Sequence, residues 1–384
     1  MLSVTLYSSL EKLLLGRRVE APSLGGMSCL GGEEFAFQAV LQADGWGMAP
    51  VRVTVDSPLK DSIQVFQVGQ VPCALPAYPR RGDENYLTTQ PGLFPDPLLP
   101  LEEGRVEVSS FFPTALWVNG KVPQGFPAGE YPITLRLEQG GDRVERTFSL
   151  RVLGADLPPQ RLIYTQWLHG DCLATYYGVP VYSEEHWQLW EKYLAAAAEE
   201  GMNMVLTPIF TPPLDTEPGT ERPCVQLVGV EKTGESYRFD FSLLERFLQM
   251  ARRCGVERFE MVHLFTQWGA QAAPAIYGRE EGVCRRLFGW DTPAASPEYA
   301  GFLRQQGLEG KAVFHISDEP SQEHLDSYRR AKELVKPYLG DFPLYDALSD
   351  PAYYDSGLVD HPVAATDHIA PFLERHVPGL WAYY

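Results

Sequence analysis

Two neighbouring carboxylates, Asp318 and Glu319, end a short apolar run in the segment AVFHISDEPSQEHL, residues 312–325. The run has the length of a buried strand, Pro320 ends it, and Ser321 begins a predicted helix. Because like charges repel, we expect the neighbouring charge to raise the pKa of one member of the pair, which is what a general acid at neutral pH requires. We also expect Pro320 to keep Glu319 extended, so that the backbone sets the direction of its side chain.

The spacing of this pair limits the chemistry that it can perform. In most glycosidases two carboxylates lie on opposite faces of the sugar, about 5 to 9.5 Å apart, and neighbours in sequence cannot easily flank a bond in that way. They can act on one face together. One acid then protonates the leaving oxygen while the other orients a 2-acetamido group, whose own carbonyl attacks the anomeric carbon. A structural alternative also fits, because acids are favoured near a helix N-terminus.

The elements around the pair alternate between strands and helices. After the segment LGADLPPQ, seven predicted strands run from RLIYTQWL to GLWAYY, with helices such as SEEHWQLWEKYLAAAAEEG between them. Ser183 is the predicted N-cap of that helix, and Gly201 follows its end. This alternation predicts a catalytic (β/α)8 barrel of the TIM type over residues 158–384, with a doubly wound sheet as the alternative.

The predicted barrel is one strand short of eight. We therefore expect it to be incomplete, with the last helix pair and the eighth strand missing. Exposed strand edges invite pairing with another chain, so an oligomer could form through the open edge.

Residues 1–157 follow a different pattern. Segments such as PVRVTVDSP and RTFSLRVLG alternate apolar and polar residues, and Gly140 and Gly141 supply the turn of a hairpin. The whole chain is thus of the α/β class with an all-β N-terminal domain, predicted to be a β-sandwich without a catalytic group of its own.

Charge and composition exclude several classes of partner. The 384 residues include 32 Lys and Arg against 50 Asp and Glu, a net charge of −18. Such a chain is repelled by nucleic acid and by anionic membranes, so neither is an expected partner, whereas a neutral carbohydrate is. The N-terminal segment lacks the pattern of a signal peptide, and six scattered cysteines predict reduced thiols. We expect a cytoplasmic protein.

Barrel chemistry gathers at the C-terminal ends of the strands, where this sequence has aromatic and short polar side chains that suit a sugar. The candidate substrate-binding residues are Trp167, Asp171, Asp215, His263, Gln267, Trp268, Tyr345, Asp346, Trp381 and Tyr384. Core packing is the alternative role for the aromatic residues and for His263. His169, His263 and Asp171 could hold a metal, but no H-x-x-x-H-type spacing supports this, and we expect no metal or other cofactor.

Segments in both halves resemble glycoside hydrolase family 123. They are PGLFPDPLLPL, PAGEYPITLRL, TQWLHGDCLATYYGVPVYSEEHW, LTPIFTPPLDT, FTQWGAQAAP, FHISDEP and LWAYY. The resemblance implies a β-sandwich followed by a catalytic (β/α)8 barrel, and a retaining β-N-acetylgalactosaminidase that uses substrate assistance. It implies that Asp318 orients the acetamido group and that Glu319 is the acid/base. A family barrel continues past LWAYY, which agrees with the missing strand.

Two other classes of function remain open at this stage. One is a non-catalytic carbohydrate-binding protein or an inactive barrel fragment, which a chromogenic N-acetylgalactosaminide would distinguish from an enzyme. The other is a metal-dependent hydrolase of a different substrate, which would lose its activity under strong chelation.

Overall fold

The computed structural model describes residues 2–15, 17, 19–45, 47–77, 85–212, 222–287 and 297–384. The chain divides into unit 1, Met1–Pro159, and unit 2, Gln160–Tyr384, so the division lies two residues beyond the predicted boundary. The six cysteines are free thiols. In the part of the chain that the structure describes, no helix is long and apolar enough to span a bilayer.

Unit 1 consists of two five-stranded sheets. Its strands are β1 (Leu2–Ser8), β2 (Gly26–Gly31), β3 (Glu34–Ala43), β4 (Met48–Asp56), β5 (Ile63–Cys73), β6 (Gly92–Pro100), β7 (Arg105–Ser109), β8 (Thr114–Lys121), β9 (Gly129–Gln139) and β10 (Asp142–Asp156). One sheet has the order β1-β3-β8-β5-β6 and the other β2-β10-β9-β4-β7. Pairing is antiparallel except between β2 and β10.

The two sheets of unit 1 share one apolar core. On β9 the residues Ile133, Leu135 and Leu137 are fully buried while their neighbours are not, which is the period-two alternation read from the sequence. The rings of Phe37 on one sheet and Phe148 on the other stack with centroids 4.1 Å apart. Unit 1 is therefore a β-sandwich.

Unit 2 alternates strands and helices. Its strands are β11 (Thr165–Gln166), β12 (Met204–Thr207), β13 (Gly229–Thr233), β14 (Ser236–Asp240), β15 (Arg258–Met261), β16 (Ile276–Glu280), β17 (Val283–Leu287), β18 (Ala312–Val313), β19 (Tyr345–Leu348), β20 (His361–Ala365) and β21 (Trp381–Tyr383). Its helices are α1 (Gly170–Tyr177), α2 (Glu184–Glu199), α3 (Ser242–Arg253), α4 (Pro297–Gln305), α5 (Leu325–Leu339), α6 (Ala352–Asp355) and α7 (Ala370–Glu374).

Seven strands of unit 2 are parallel neighbours in chain order. One sheet has the order β11-β12-β15-β18 and another β19-β20-β21, and a parallel bridge from Phe314 to Leu344 connects them. A doubly wound sheet reverses its strand order at a switch point, whereas a barrel does not. The observed order thus favours the predicted barrel over the doubly wound alternative. Closure of the barrel stays a prediction, since the described residues give no pairing between β11 and β21.

Two hairpins depart from the strict alternation that the sequence predicted. Strands β13 and β14 form one, β16 and β17 form the other, and β13 pairs with β16 in a separate four-stranded sheet. Both hairpins lie between a strand of the parallel series and the helix that follows it. Their segments alternate polar and apolar residues, such as ESYRFD, which is typical of half-exposed strands and not of the buried parallel ones.

The helices of unit 2 follow local sequence signals. Ser183 caps α2, where its hydroxyl accepts a hydrogen bond from His186 N at 3.2 Å. On α3 the residues Leu244, Phe247 and Leu248 are fully buried, which is the apolar stripe expected from their spacing. These faces complete the core of unit 2 around the parallel strands.

Two helical glycines of unit 2 should respond to alanine in opposite ways. A Cβ at Gly170 would lie 2.7 Å from the Trp190 ring, whereas a Cβ at Gly301 on α4 meets nothing within 4 Å. We expect Gly170→Ala to destabilise the protein by about 1–3 kcal/mol through overpacking. Gly301→Ala should stabilise it by about 0.5–1 kcal/mol, because alanine restricts the unfolded chain. Thermal melting of the two variants checks this; equal shifts would contradict the close packing at Gly170.

Candidate active site

The backbone brings the segment after β15 alongside the segment after β18. Leu264 N donates to His315 O at 3.0 Å, and Trp268 N donates to Asp318 O at 2.8 Å. Gln267 also donates from Nε2 to Asp318 Oδ2 at 3.1 Å. The structure therefore brings three predicted site residues, Gln267, Trp268 and Asp318, together at the C-terminal ends of two neighbouring parallel strands.

The two adjacent carboxylates have different environments. Asp318 is buried, with 6% of its surface exposed, whereas Glu319 is exposed. Glu319 has φ = +43°, so the extended conformation expected from Pro320 is wrong. The left-handed conformation is strained for a residue with a Cβ, and it turns the Glu319 side chain out of the line of the strand. The pair thus offers one fixed, buried carboxylate and one that solvent and a ligand can reach.

Burial dominates the electrostatics of Asp318. It raises the pKa of Asp318 to about 6, and the negative charges of Glu319 and Asp346 act in the same direction. The hydrogen bond from Gln267 and the positive charge of His315 oppose this rise. Repulsion within the acid pair was the expected cause, but it is a smaller contribution than desolvation.

Glu319 has a hydrogen-bond partner on the last strand of unit 2. The hydroxyl of Tyr383 on β21 donates to Glu319 Oε1. Burial, and then this bond, raise the pKa of Tyr383, so its hydroxyl stays protonated at neutral pH. The sequence predicted Trp381, which lies on this strand, and Tyr384, which follows its end. Side chains two apart lie on the same side of a strand, so Trp381 and Tyr383 are the consistent pair.

A tight turn carries Trp268 next to the acids. Trp268, Gly269 and Ala270 all have positive φ, and the Trp268 side chain is exposed. Ser317 holds this turn, because its Oγ accepts from Gly269 N and Ala270 N at 3.1 Å each and donates to Thr266 O at 2.8 Å. An exposed indole on a fixed turn is suited to stacking on the apolar face of a sugar ring.

A buried network of charged residues lies beneath the acid pair. Glu260 on β15 accepts from Trp167 Nε1 at 2.8 Å, and its Oε1 is 2.9 Å from His315 Nε2. His315 Nδ1 is 3.5 Å from Asp346 Oδ1. Asp346 in turn accepts from Ile316 N at 3.0 Å and from the Tyr328 hydroxyl. Predicted binding residues Trp167 and Asp346 thus belong to one set of contacts.

The charges of this network stabilise one another. Burial opposes ionisation of His315, but Asp346 and Glu260 outweigh it and raise the pKa of His315 to about 10. Burial likewise opposes ionisation of Glu260, yet His315 and hydrogen bonds from Thr165 and Trp167 lower its pKa. For Asp346 burial prevails and raises the pKa. The nearby carboxyl groups of Glu260 and Asp346 thus favour the protonated form of His315.

His263, His315 and Asp346 are close enough for a shared metal, since their ligand atoms lie within 4.8 Å of one another. The donors do not suit one, however. A metal ligand must be deprotonated, but His315 stands between two carboxylates that hold it protonated. Both oxygens of Asp346 already accept hydrogen bonds, from Ile316, Ser317 and Tyr328. Among the described residues, however, the ring nitrogens of His263 and His315 make no hydrogen bond, and the expected absence of a metal stays a prediction.

His263 is fully buried, and burial lowers its pKa, so the ring is neutral. It meets Trp167 edge to face, with centroids 5.4 Å apart, and stacks with His315 at 4.5 Å. Within the described part of the chain its two nitrogens have no hydrogen-bond partner. The ring lies between Trp167 and His315, and its predicted role in binding substrate stays a prediction.

The remaining candidates lie farther along the strand ends. Asp171 on α1 is buried, and Arg222 binds both of its oxygens, at 2.8 and 2.9 Å. Its carboxylate is thus already engaged by a cation, which does not favour the metal set proposed with His169. Tyr345 stacks on His361 and contacts Trp381, each with centroids 4.6 Å apart. Tyr384 is fully exposed, and Asp215 lies outside the described residues.

Four residues of the site escaped the sequence analysis: Glu260, His315, Ser317 and Tyr383. Glu260 and His315 are charged residues within apolar strand segments, RFEMVHLF and AVFHIS, and a buried ionisable residue needs a partner. That signal was present for both residues. Their pairing, by contrast, depends on which strands become neighbours and which side chains point inward.

Comparison with known proteins identifies the family. The model described as "Glycoside hydrolase 123, catalytic domain" matches residues 167–384. A family 123 glycoside hydrolase from Clostridium perfringens, studied for glycolipid glycan hydrolysis, has a similar fold: TM-score 0.71, 15% identity, covering 99% of this chain and 71% of that one. A putative beta-galactosidase from Bacteroides fragilis is more distant, with TM-score 0.27, 11% identity and coverages of 97% and 44%. No curated protein matches. The chain belongs to glycoside hydrolase family 123, as its motifs predicted, and is a glycoside hydrolase.

Proposed function

We propose that this glycoside hydrolase removes terminal β-linked N-acetylgalactosamine, with retention of configuration and with the substrate's acetamido group as nucleophile. The observation that carries the proposal is the contrast between a buried Asp318 and an exposed Glu319 at successive positions. Two such carboxylates cannot lie on opposite faces of one sugar ring, as the ordinary two-carboxylate mechanisms require. They can act together on one face of the sugar, one on the acetamido group and the other on the leaving oxygen.

Asp318 is suited to orienting the acetamido group. Its carboxylate is fixed by Gln267, and its backbone is fixed by Trp268. A fixed carboxylate can accept the acetamido N–H, direct the carbonyl oxygen at the anomeric carbon and stabilise the positive charge of the resulting oxazolinium ring. No protein side chain forms a bond to the sugar in this step.

Glu319 is suited to proton transfer. It is exposed, so it can reach the glycosidic oxygen and protonate it as the bond to the anomeric carbon breaks. The resulting carboxylate then takes a proton from water as that water opens the oxazolinium ring. Attack from the face that the aglycone left gives net retention. Tyr383 donates to Oε1 and so orients the carboxyl group.

The Clostridium perfringens relative suggests the source of the sugar. That protein was studied for the hydrolysis of glycolipid glycans. We extend the proposal to such glycans for this chain. The net charge of −18 favours neutral glycolipids over anionic ones, because like charges repel.

The acetamido group should be indispensable. The protein should hydrolyse 4-nitrophenyl 2-acetamido-2-deoxy-β-galactoside and leave the matching 2-hydroxy galactoside untouched, because no protein nucleophile can replace the acetamido oxygen. Released nitrophenolate measures both reactions, and proton NMR should show the β-anomer as the first product. Fast hydrolysis of the plain galactoside, or a sugar covalently trapped on a side chain, would refute the proposal.

Asp318→Asn should slow every N-acetyl substrate by about 10²–10³-fold, the usual cost of losing one stabilising group at a developing charge. In the parent, kcat/KM should rise with pH through about 6, because Asp318 acts in its ionised form and loses its proton there. The variant should lack this acid limb. Asp326→Asn, which changes an exposed aspartate, is the control. A parent rate that instead falls as the pH rises through about 6 would make Asp318 the proton donor.

Glu319→Gln should harm substrates with poor leaving groups most. Without a proton donor, alkyl glycosides need protonation that the variant cannot supply, whereas a 2,4-dinitrophenyl glycoside leaves unaided. A plot of log kcat/KM against leaving-group pKa should therefore be steeper for the variant than for the parent. Glu323→Gln alters an exposed glutamate nearby and should keep the parent slope. Equal slopes for Glu319→Gln and the parent would exclude Glu319 as the acid.

A further inference from the structure

The indole of Trp167 and the imidazole of His315 contact the same carboxylate oxygen. Trp167 Nε1 lies 2.8 Å from Glu260 Oε1, and His315 Nε2 lies 2.9 Å from that atom. Glu260 itself is 3% exposed. Through Glu260, the side chain of Trp167 at the end of β11 is therefore connected to His315, a buried residue that follows β18.

The other side of the His315 ring is tied to the backbone that leads into the acid pair. His315 Nδ1 lies 3.5 Å from Asp346 Oδ1, and the same oxygen accepts from Ile316 N at 3.0 Å and from Ser317 N at 3.3 Å. Ser317 directly precedes Asp318. The His315 ring thus lies between Glu260, which binds Trp167, and Asp346, which binds the backbone that leads into Asp318.

We propose that His315 is a positioning residue of this glycosidase, an imidazolium that holds Glu260 and Asp346 together and thereby fixes Trp167 and the Ser317–Asp318 backbone relative to each other. The proposal rests on the proposed function for what these groups do to a sugar. His315 is 4% exposed, and this role requires no contact between its ring and the substrate. Its charge contacts, both buried, are what distinguish it from a packing residue.

The same ring sets the charge beside Asp318. The groups that face His315 are Glu260, Asp346 and the neutral His263. Those that act on Asp318 are Gln267, Glu319, His315 and Asp346. With two carboxylates and one imidazolium, the Glu260–His315–Asp346 set carries a net charge of minus one. Loss of the imidazolium makes this minus two, which hinders ionisation of Asp318.

A first test observes the imidazolium directly and needs no substrate. In protein labelled with ¹⁵N in its histidine rings, both nitrogens of His315 should show protonated shifts at pH 8. The His315→Gln variant assigns the signal. Glu260→Gln should lower the pKa of His315 by about one unit or more, because it removes one of two facing carboxylates. A His315 ring that is neutral at pH 7 in the parent would overturn the proposal.

A second test separates positioning from simple structural support. His315→Gln should move the acid limb of kcat/KM up by about one pH unit. The double variant His315→Gln, Glu260→Gln restores the net charge of minus one and should return the limb toward the parent value. His368→Gln, at an exposed histidine that also contacts a carboxylate, should leave it unchanged. A lower melting temperature with an unmoved limb would show a merely structural role and overturn the proposal.

These tests remain distinct from the proposed function. A parent that hydrolyses no N-acetyl glycoside would refute the function, and the ¹⁵N titration would still decide whether His315 is an imidazolium between two carboxylates. An active parent with a neutral His315 would refute the positioning role alone. If His315→Gln does not fold, the ¹⁵N titration of the parent and of Glu260→Gln decides, because it measures the charge of His315 in folded protein.

Discussion

The carboxylate of Asp346 is the contact on which the geometry of the site depends. Strand β18 ends at Val313, so the buried N–H groups of Ile316 and Ser317 have no strand to pair with, and Asp346 on the next strand accepts from both. A buried donor without a partner costs about 1–3 kcal/mol. The course of the chain into Asp318 is therefore fixed by a side chain of the neighbouring strand and not by the sheet itself.

Local strain is concentrated around the acid pair. Trp268, Ala270 and Glu319 all have positive φ although each carries a Cβ, and such residues cost of order 1–3 kcal/mol apiece. Ser317 compensates for part of this by bonding the turn at Gly269 and Ala270. The strained backbone presents an exposed indole and an exposed carboxylate beside a carboxylate that is buried and hydrogen-bonded to Gln267.

Sequence reasoning reached the sandwich, the seven parallel strands and the acid pair, because each has a local signal: period-two alternation, strand and helix alternation, and a strand ending in Asp-Glu-Pro. It missed the two hairpins of β13–β14 and β16–β17, each of which is inserted between a strand of the parallel series and the helix that follows it. It also missed the pairing of Glu260 with His315. That contact joins residues 55 positions apart, and it exists only once β15 and β18 are neighbours.

The charges of the site suit the chemistry proposed for it. Glu260 and Asp346 carry two buried negative charges against the single positive charge of His315, and the acid pair adds more. A glycosidic transition state develops positive charge at the anomeric carbon, so a surplus of fixed negative charge stabilises it more than it stabilises the neutral ground state. The same surplus is costly in the free protein, because it hinders ionisation of Asp318. The positive charge of His315 offsets part of this hindrance to Asp318 ionisation and still leaves a net negative charge at the site. A single charge on a residue outside the substrate-binding surface can therefore affect catalysis.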